Sequence, residues 1–171
     1  MLHGGTPFGA EQDLYFMSLA LAQARKAGVD GEVPVGALVV NSQGKIVARA
    51  YNQVEKQCSQ CAHAESLALA KAGKKIKNWR LDGHWLYVTL QPCQMCMALI
   101  RLSRLDGVIY GAPSPLFGSD IDNAQPSQVY KSEIQIVGGV LHEQAAVLLR
   151  EFFQNKRKEK GEQNKKGARS N

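Results

Sequence analysis

Leu14, Met17, Leu21 and Ala24 recur at helical spacing, so residues 11–27 read as an amphipathic helix closed by Gly28. Residues 33–40 are rich in valine and run into Asn41-Ser42-Gln43-Gly44, a turn signal. Residues 45–51 then read as a second strand, and the two form a hairpin. Residues 52–62 look like a loop. Alanine and leucine make residues 63–72 a helix ended by Gly73. A strand over 85–90 leads to Pro92, which suits the first turn of a helix running to residue 102. There follow a short strand over 107–111 and a long loop over 112–128 that contains Pro113, Pro115, Gly118 and Pro126. A strand over 133–137 and a last helix over 142–155 complete the pattern. Strands alternating with helices predict an α/β protein built on one sheet covered by helices.

A chain of 171 residues fits one domain with a real core and needs no disulfides to fold. No run of 18 apolar residues exists, so no membrane helix is expected. Met1-Leu2-His3-Gly4-Gly5 lacks the features of a signal peptide, and the expectation is a cytoplasmic protein. In a reducing compartment, C-x-x-C favours metal ligation over disulfides. The net charge of +6 is unevenly placed. Residues 156–171 carry seven basic groups against two acidic ones, which leaves residues 1–155 nearly neutral. That tail reads as a disordered extension able to grip phosphates. A second basic cluster, Lys71, Lys74, Lys75, Lys77 and Arg80, has no acid within it. A solvated helix end would look the same.

The chemistry is concentrated in His63-Ala64-Glu65 and, 26 residues on, Pro92-Cys93-Gln94-Met95-Cys96. This is the H-x-E…P-C-x-x-C signature of the zinc-dependent nucleobase deaminases. The imidazole of His63 and the thiolates of Cys93 and Cys96 can hold one zinc ion and leave a fourth position for water. Cys93 and Cys96 share a helix face, and a helix N-terminus favours their thiolate forms. Glu65 is then the proton carrier and not a ligand. Residues two apart diverge on a regular helix, so His63 must sit at the irregular start of its helix. A competing arrangement uses Cys58-Ser59-Gln60-Cys61 with Cys93 and Cys96 as a closed all-cysteine zinc site in a non-catalytic RNA-binding module. It leaves His63, Glu65 and Pro92 without a role.

Longer stretches carry a resemblance. Glu32-Val33-Pro34-Val35-Gly36-Ala37, Tyr51-Asn52, Ala62-His63-Ala64-Glu65 and Leu86-Tyr87-Val88-Thr89-Leu90-Gln91-Pro92-Cys93-Gln94-Met95-Cys96 occur in order. Val108-Ile109-Tyr110-Gly111-Ala112 and Leu148-Leu149-Arg150-Glu151-Phe152-Phe153 follow. Together they resemble the bacterial tRNA-specific adenosine deaminase family over roughly residues 13–158. The resemblance implies a three-layer α/β/α cytidine-deaminase-like fold with a mixed sheet, a deaminase domain over 1–155 and one zinc ion per subunit. It also implies a homodimer acting on a tRNA anticodon stem-loop, where adenosine becomes inosine at the wobble position. By the same resemblance Asn52 hydrogen-bonds the flipped base, Ala64 contributes backbone at the metal pocket and Val35 walls the pocket. Phe152 and Phe153 meet the anticodon loop. Two departures stand out: Gln91 replaces the family's usual glutamate, and residues 113–118 lack its usual charges. They leave a cytosine- or guanine-type free base or nucleoside as the alternative substrate.

Overall fold

The computed structural model describes residues 6–118 and 134–167, with side chains as far as Asn164. Glu133, Pro126 and the rest of the expected 112–128 loop beyond Gly118 lie outside the described residues, as does the end of the tail. The elements are α1 (Ala10–Val29), β1 (Gly36–Asn41), β2 (Ile46–Tyr51), α2 (Val54–Gln57), α3 (Ala64–Ile76), β3 (His84–Leu90), α4 (Gln94–Leu102), β4 (Gly107–Ala112), β5 (Gln135–Gly138) and α5 (His142–Gly167). One mixed sheet has the order β2-β1-β3-β4-β5. β1 is antiparallel to β2 and β3, while β3, β4 and β5 run parallel.

Alternation along the strands builds two cores, one on each face of the sheet. Ala37, Val39, Leu86, Val88 and Val108 face α3 and α4, where Ala64, Ala68, Met97 and Ile100 cover them. Leu38, Val40, Trp85, Tyr87 and Ile109 face α1, where Phe16, Met17 and Ala20 cover them. Leu21 of α1 and Ala145 of α5 close over Ala112 on that same side. The result is the expected three-layer α/β/α sandwich. A buried tyrosine needs a partner for its hydroxyl. Tyr87 donates to Asp13, which also accepts from Thr6 Oγ1 at 2.8 Å.

The hairpin forms as its turn signal predicts. Asn41 Oδ1 accepts from Gln43 N at 3.1 Å and from Lys45 N at 2.9 Å, and Gly44 takes φ 74°. β1 starts at Gly36 and not at Val33, because Val35 N turns back to Val33 O at 2.8 Å and Pro34 has no N–H to pair. Gly36 itself admits nothing larger: a Cβ there would meet Ala20 O at 2.2 Å and Ala24 N at 2.5 Å, the backbone of α1.

Three helix ends differ from expectation. α1 continues past Gly28 and closes where Asp30 N bonds Lys26 O, followed by Gly31 at φ 81°. α3 passes Gly73 and ends with Lys77 in the left-handed region at φ 57°. α5 runs to Gly167 instead of fraying at Asn155. Lys, Arg, Glu and Gln, which dominate residues 156–163, are good helix formers, so their high charge does not end the helix. The 52–62 loop also holds structure, namely α2 and a 3-10 turn at Gln60–Ala62. No helix among the described residues is long and apolar enough to cross a membrane.

Candidate active site and metal centre

Parallel β3 and β4 end side by side, with Leu90 opposite Ala112 and Gln91 N donating to Ala112 O at 2.8 Å. The chain leaving β3 turns directly into α4, and the N-terminus of α3 reaches the same edge. His63 is the N-cap of α3, extended at φ −63° and ψ 149°. This is the irregular start that its spacing from Glu65 requires. Cys93 is likewise the extended N-cap of α4, with φ −73° and ψ 172°. Pro92 therefore precedes the cap and does not occupy the first helical position. The extended Cys93 leaves its sulfur beside the first turn, where Cys96 also projects.

His63 Nδ1 lies 3.8 Å from Cys93 Sγ and 3.5 Å from Cys96 Sγ. The three ligand atoms all lie within 4.8 Å of one another. One imidazole and two sulfurs converging from two helix N-termini match the donor set of a catalytic zinc site with three protein ligands. His63, Cys93 and Cys96 are thus positioned to hold the metal. Cys58 and Cys61 are exposed and outside this cluster, which removes the all-cysteine arrangement.

The three groups share protons. Hydrogen bonds from Cys96 and His63 bring the Cys93 thiol down to about 4. Its bond to the Cys93 sulfur, together with burial, pushes Cys96 upward. The bond to Cys93 also raises His63. These shifts favour the ligand protons on Cys96 and His63 over Cys93. Ligation needs two thiolates and a neutral imidazole, so zinc uptake must displace protons. Titrating zinc into metal-free protein in weak buffer with a pH indicator is expected to release about one to two protons per ion, with affinity falling as pH drops. Uptake without proton release would contradict this charge state.

Glu65, the second residue of α3, is 4% exposed and accepts a hydrogen bond from Cys96. Burial raises its carboxyl above the usual carboxylate range. It adjoins the cluster without being one of its three members. Ala64 is fully buried at the first turn of α3.

Asn52 is buried, and its backbone N–H donates to Val35 O at 2.9 Å. Its Nδ2 donates to Glu32 Oε2 at 3.3 Å. Glu32, only 1% exposed, also accepts from Glu55 N at 3.2 Å and Lys56 N at 2.8 Å. It fixes the segment that presents Asn52, a positioning task that the sequence reading did not assign. The available signal was an acid directly before the valine-rich run of residues 33–40. Gln91 has a similar supporting place. Its Oε1 accepts from Ser114 N at 3.0 Å, so the two departures noted in the sequence touch each other. Phe152 and Phe153 pack edge to face on α5 with centroids 5.3 Å apart, and Lys156 Nζ sits 5.8 Å from the Phe152 ring.

Residues 10–112 match the family described as the cytidine and deoxycytidylate deaminase zinc-binding region. Over 162 residues the chain is 40% identical to the tRNA-specific adenosine deaminase of Bacillus subtilis (strain 168), covering 94% of this chain and 97% of that one. The chain belongs to the tRNA-specific adenosine deaminase family. A solved structure from work on A-to-I editing by tRNA:A34 deaminases superimposes with a TM-score of 0.73 at 35% identity, over 79% of this chain and 99% of that one. A guanine deaminase structure from Bacillus subtilis is also similar, with a TM-score of 0.56 at 34% identity over 58% of this chain and 63% of that one. The matched span contains His63, Cys93 and Cys96, which this fold gathers at the carboxyl edge of β3 and β4.

Proposed function

We propose that this protein is a zinc-dependent hydrolase that converts adenosine to inosine at the wobble position of a tRNA anticodon. The observation that carries the reading is the buried Glu65 set against the His63-Cys93-Cys96 cluster, in a chain similar along nearly its whole length to a tRNA-specific adenosine deaminase. A zinc ion held by those three residues supplies the Lewis acidity that makes water a nucleophile near neutral pH. Glu65 takes the proton released by the attacking water and delivers it to the purine ring nitrogen and then to the departing amine. A carbon–oxygen bond forms at the base carbon, the carbon–nitrogen bond breaks, and ammonia leaves. Burial of Glu65 suits that transfer, because desolvation raises its carboxyl above the usual carboxylate range and makes it a better proton acceptor than a solvated acid.

Asn52, held by Glu32 and Val35, hydrogen-bonds the base once it has left the stack; Val35 and the backbone of Ala64 shape the pocket. Residues 1–155 form the deaminase unit. The basic residues that follow, with Phe152 and Phe153, meet the anticodon stem-loop, aromatics under unpaired bases and cations along phosphates. The working form is a cytoplasmic homodimer with one zinc ion per subunit.

Purified protein incubated with bulk tRNA is expected to yield inosine at the first anticodon position, read by nucleoside analysis and primer extension. Free guanine, cytosine and adenosine are run in parallel. Turnover of a free base with none on tRNA would instead favour the reading suggested by the guanine deaminase likeness.

A further inference from the structure

The lysine-rich segment beyond the first turns of α3 has no part in the chemistry above. Lys71, Lys74, Lys75, Lys77 and Arg80 are all exposed. Two of them have local work: Lys71 Nζ bonds Arg49 O at 3.3 Å and Lys75 Nζ bonds Val47 O at 3.0 Å, placing cations along the backbone of the edge strand β2. Arg80 faces Asp82 at 3.1 Å. The loop after α3 is tied to the end of α4, because Leu81 is buried and its N–H donates to Ser103 O at 2.8 Å. That tie brings Arg101 and Arg104 into the same corner. Residues 71–82 and 101–106 together hold seven basic groups and two acidic ones.

At the centre of the corner stands Trp79, 65% exposed, with Arg104 Cζ 5.9 Å from its ring centroid. Lysines in a last helical turn are explained by the helix dipole. An indole left in water under a guanidinium is not. Lys77 and Arg104 also hold left-handed φ values of 57° and 62°, positions where glycine or asparagine is usual. Cations stand at both helix ends despite that strain.

We infer that this corner is a second RNA-binding surface, in which Lys74, Lys77 and Arg104 follow the phosphates of the bound tRNA and Trp79 stacks on one of its unpaired bases. The inference rests on the tRNA reading above. The 13 residues of α3 separate the corner from His63 by about 20 Å, so it holds the RNA well away from the nucleotide being deaminated. Exposed aromatic faces beside surplus positive charge are the pairing that single-stranded nucleic acid uses. An acidic protein partner would need the charge but not the ring.

The test uses the zinc-loaded enzyme and full-length tRNA with two exposed-residue variants. Lys74→Glu with Lys77→Glu is expected to raise Kd and KM for tRNA about tenfold and to flatten the dependence of log affinity on log salt by about one per lost phosphate contact. Trp79→Ala is expected to weaken binding several-fold at an unchanged salt slope. Zinc content and kcat at saturating tRNA stay at wild-type values in both. If wild type forms inosine and both variants match its affinity and salt slope, the surface is not an RNA contact, whatever else it binds. A wild type that forms no inosine on tRNA overturns the proposed function itself, which separates the two failures.

Discussion

Glu65→Gln is expected to lower inosine formation by about 10²–10⁴-fold, the range for loss of a positioned acid–base group. Zinc content and fold should survive. Elimination among the buried acids supports this choice. Asp13 is engaged by Thr6 and Tyr87, on the α1 side of the sheet. Glu32 is engaged by Asn52 and two backbone N–H groups. Among the described residues Glu65 is the remaining buried carboxyl, and it adjoins the sulfurs. The same burial gives a second readout. Desolvation disfavours its charged form, so the neutral, nearly isosteric amide should not lower the melting temperature. Turnover and stability should therefore part company, as expected of a residue kept for chemistry. Wild-type inosine yields from the variant, measured by nucleoside chromatography with zinc determined by mass spectrometry, would remove Glu65 from the proton path.

Much of this architecture was legible because period and punctuation agreed. The valine run, the Asn-Ser-Gln-Gly turn and the largely apolar Trp85–Leu90 segment specify β1, β2 and β3 without tertiary information. Even the one geometric difficulty, two functional side chains two residues apart, was settled correctly by placing His63 outside the helix. Glycine misled at Gly28 and Gly73. A glycine in a helix costs about 1 kcal/mol relative to alanine, which the packing of α1 and α3 on the sheet outweighs. High charge misled at residue 156, where composition argued for a frayed tail but helix propensity continues α5. Glu32 and Gln91 were quoted as motif letters, and their tasks were not visible. Those tasks depend on which backbone N–H groups the fold brings to their oxygens, Lys56 and Ser114 being 24 and 23 residues away. Local pattern carries no information at that range.

Serine at Cys93 or Cys96 is expected to take zinc from one ion per chain to near none, a larger loss than the roughly 10–100-fold that follows removal of a hydrogen bond supporting a ligand. Serine at Cys58 and Cys61 together should leave zinc and turnover unchanged, since both lie exposed outside the cluster. The two ligand variants should differ in stability. Cys93 is half-buried at a helix cap, where a hydroxyl is a good N-cap acceptor. Cys96 is fully buried, where a hydroxyl costs more to keep from water than a thiol does. Cys96→Ser should therefore melt below Cys93→Ser when both are metal-free, although the two cores on either face of the sheet keep each variant folded. Zinc retained in either single variant, or lost in the Cys58 and Cys61 pair, would mean that the ion is held by a different set of donors from the one gathered at the N-termini of α3 and α4.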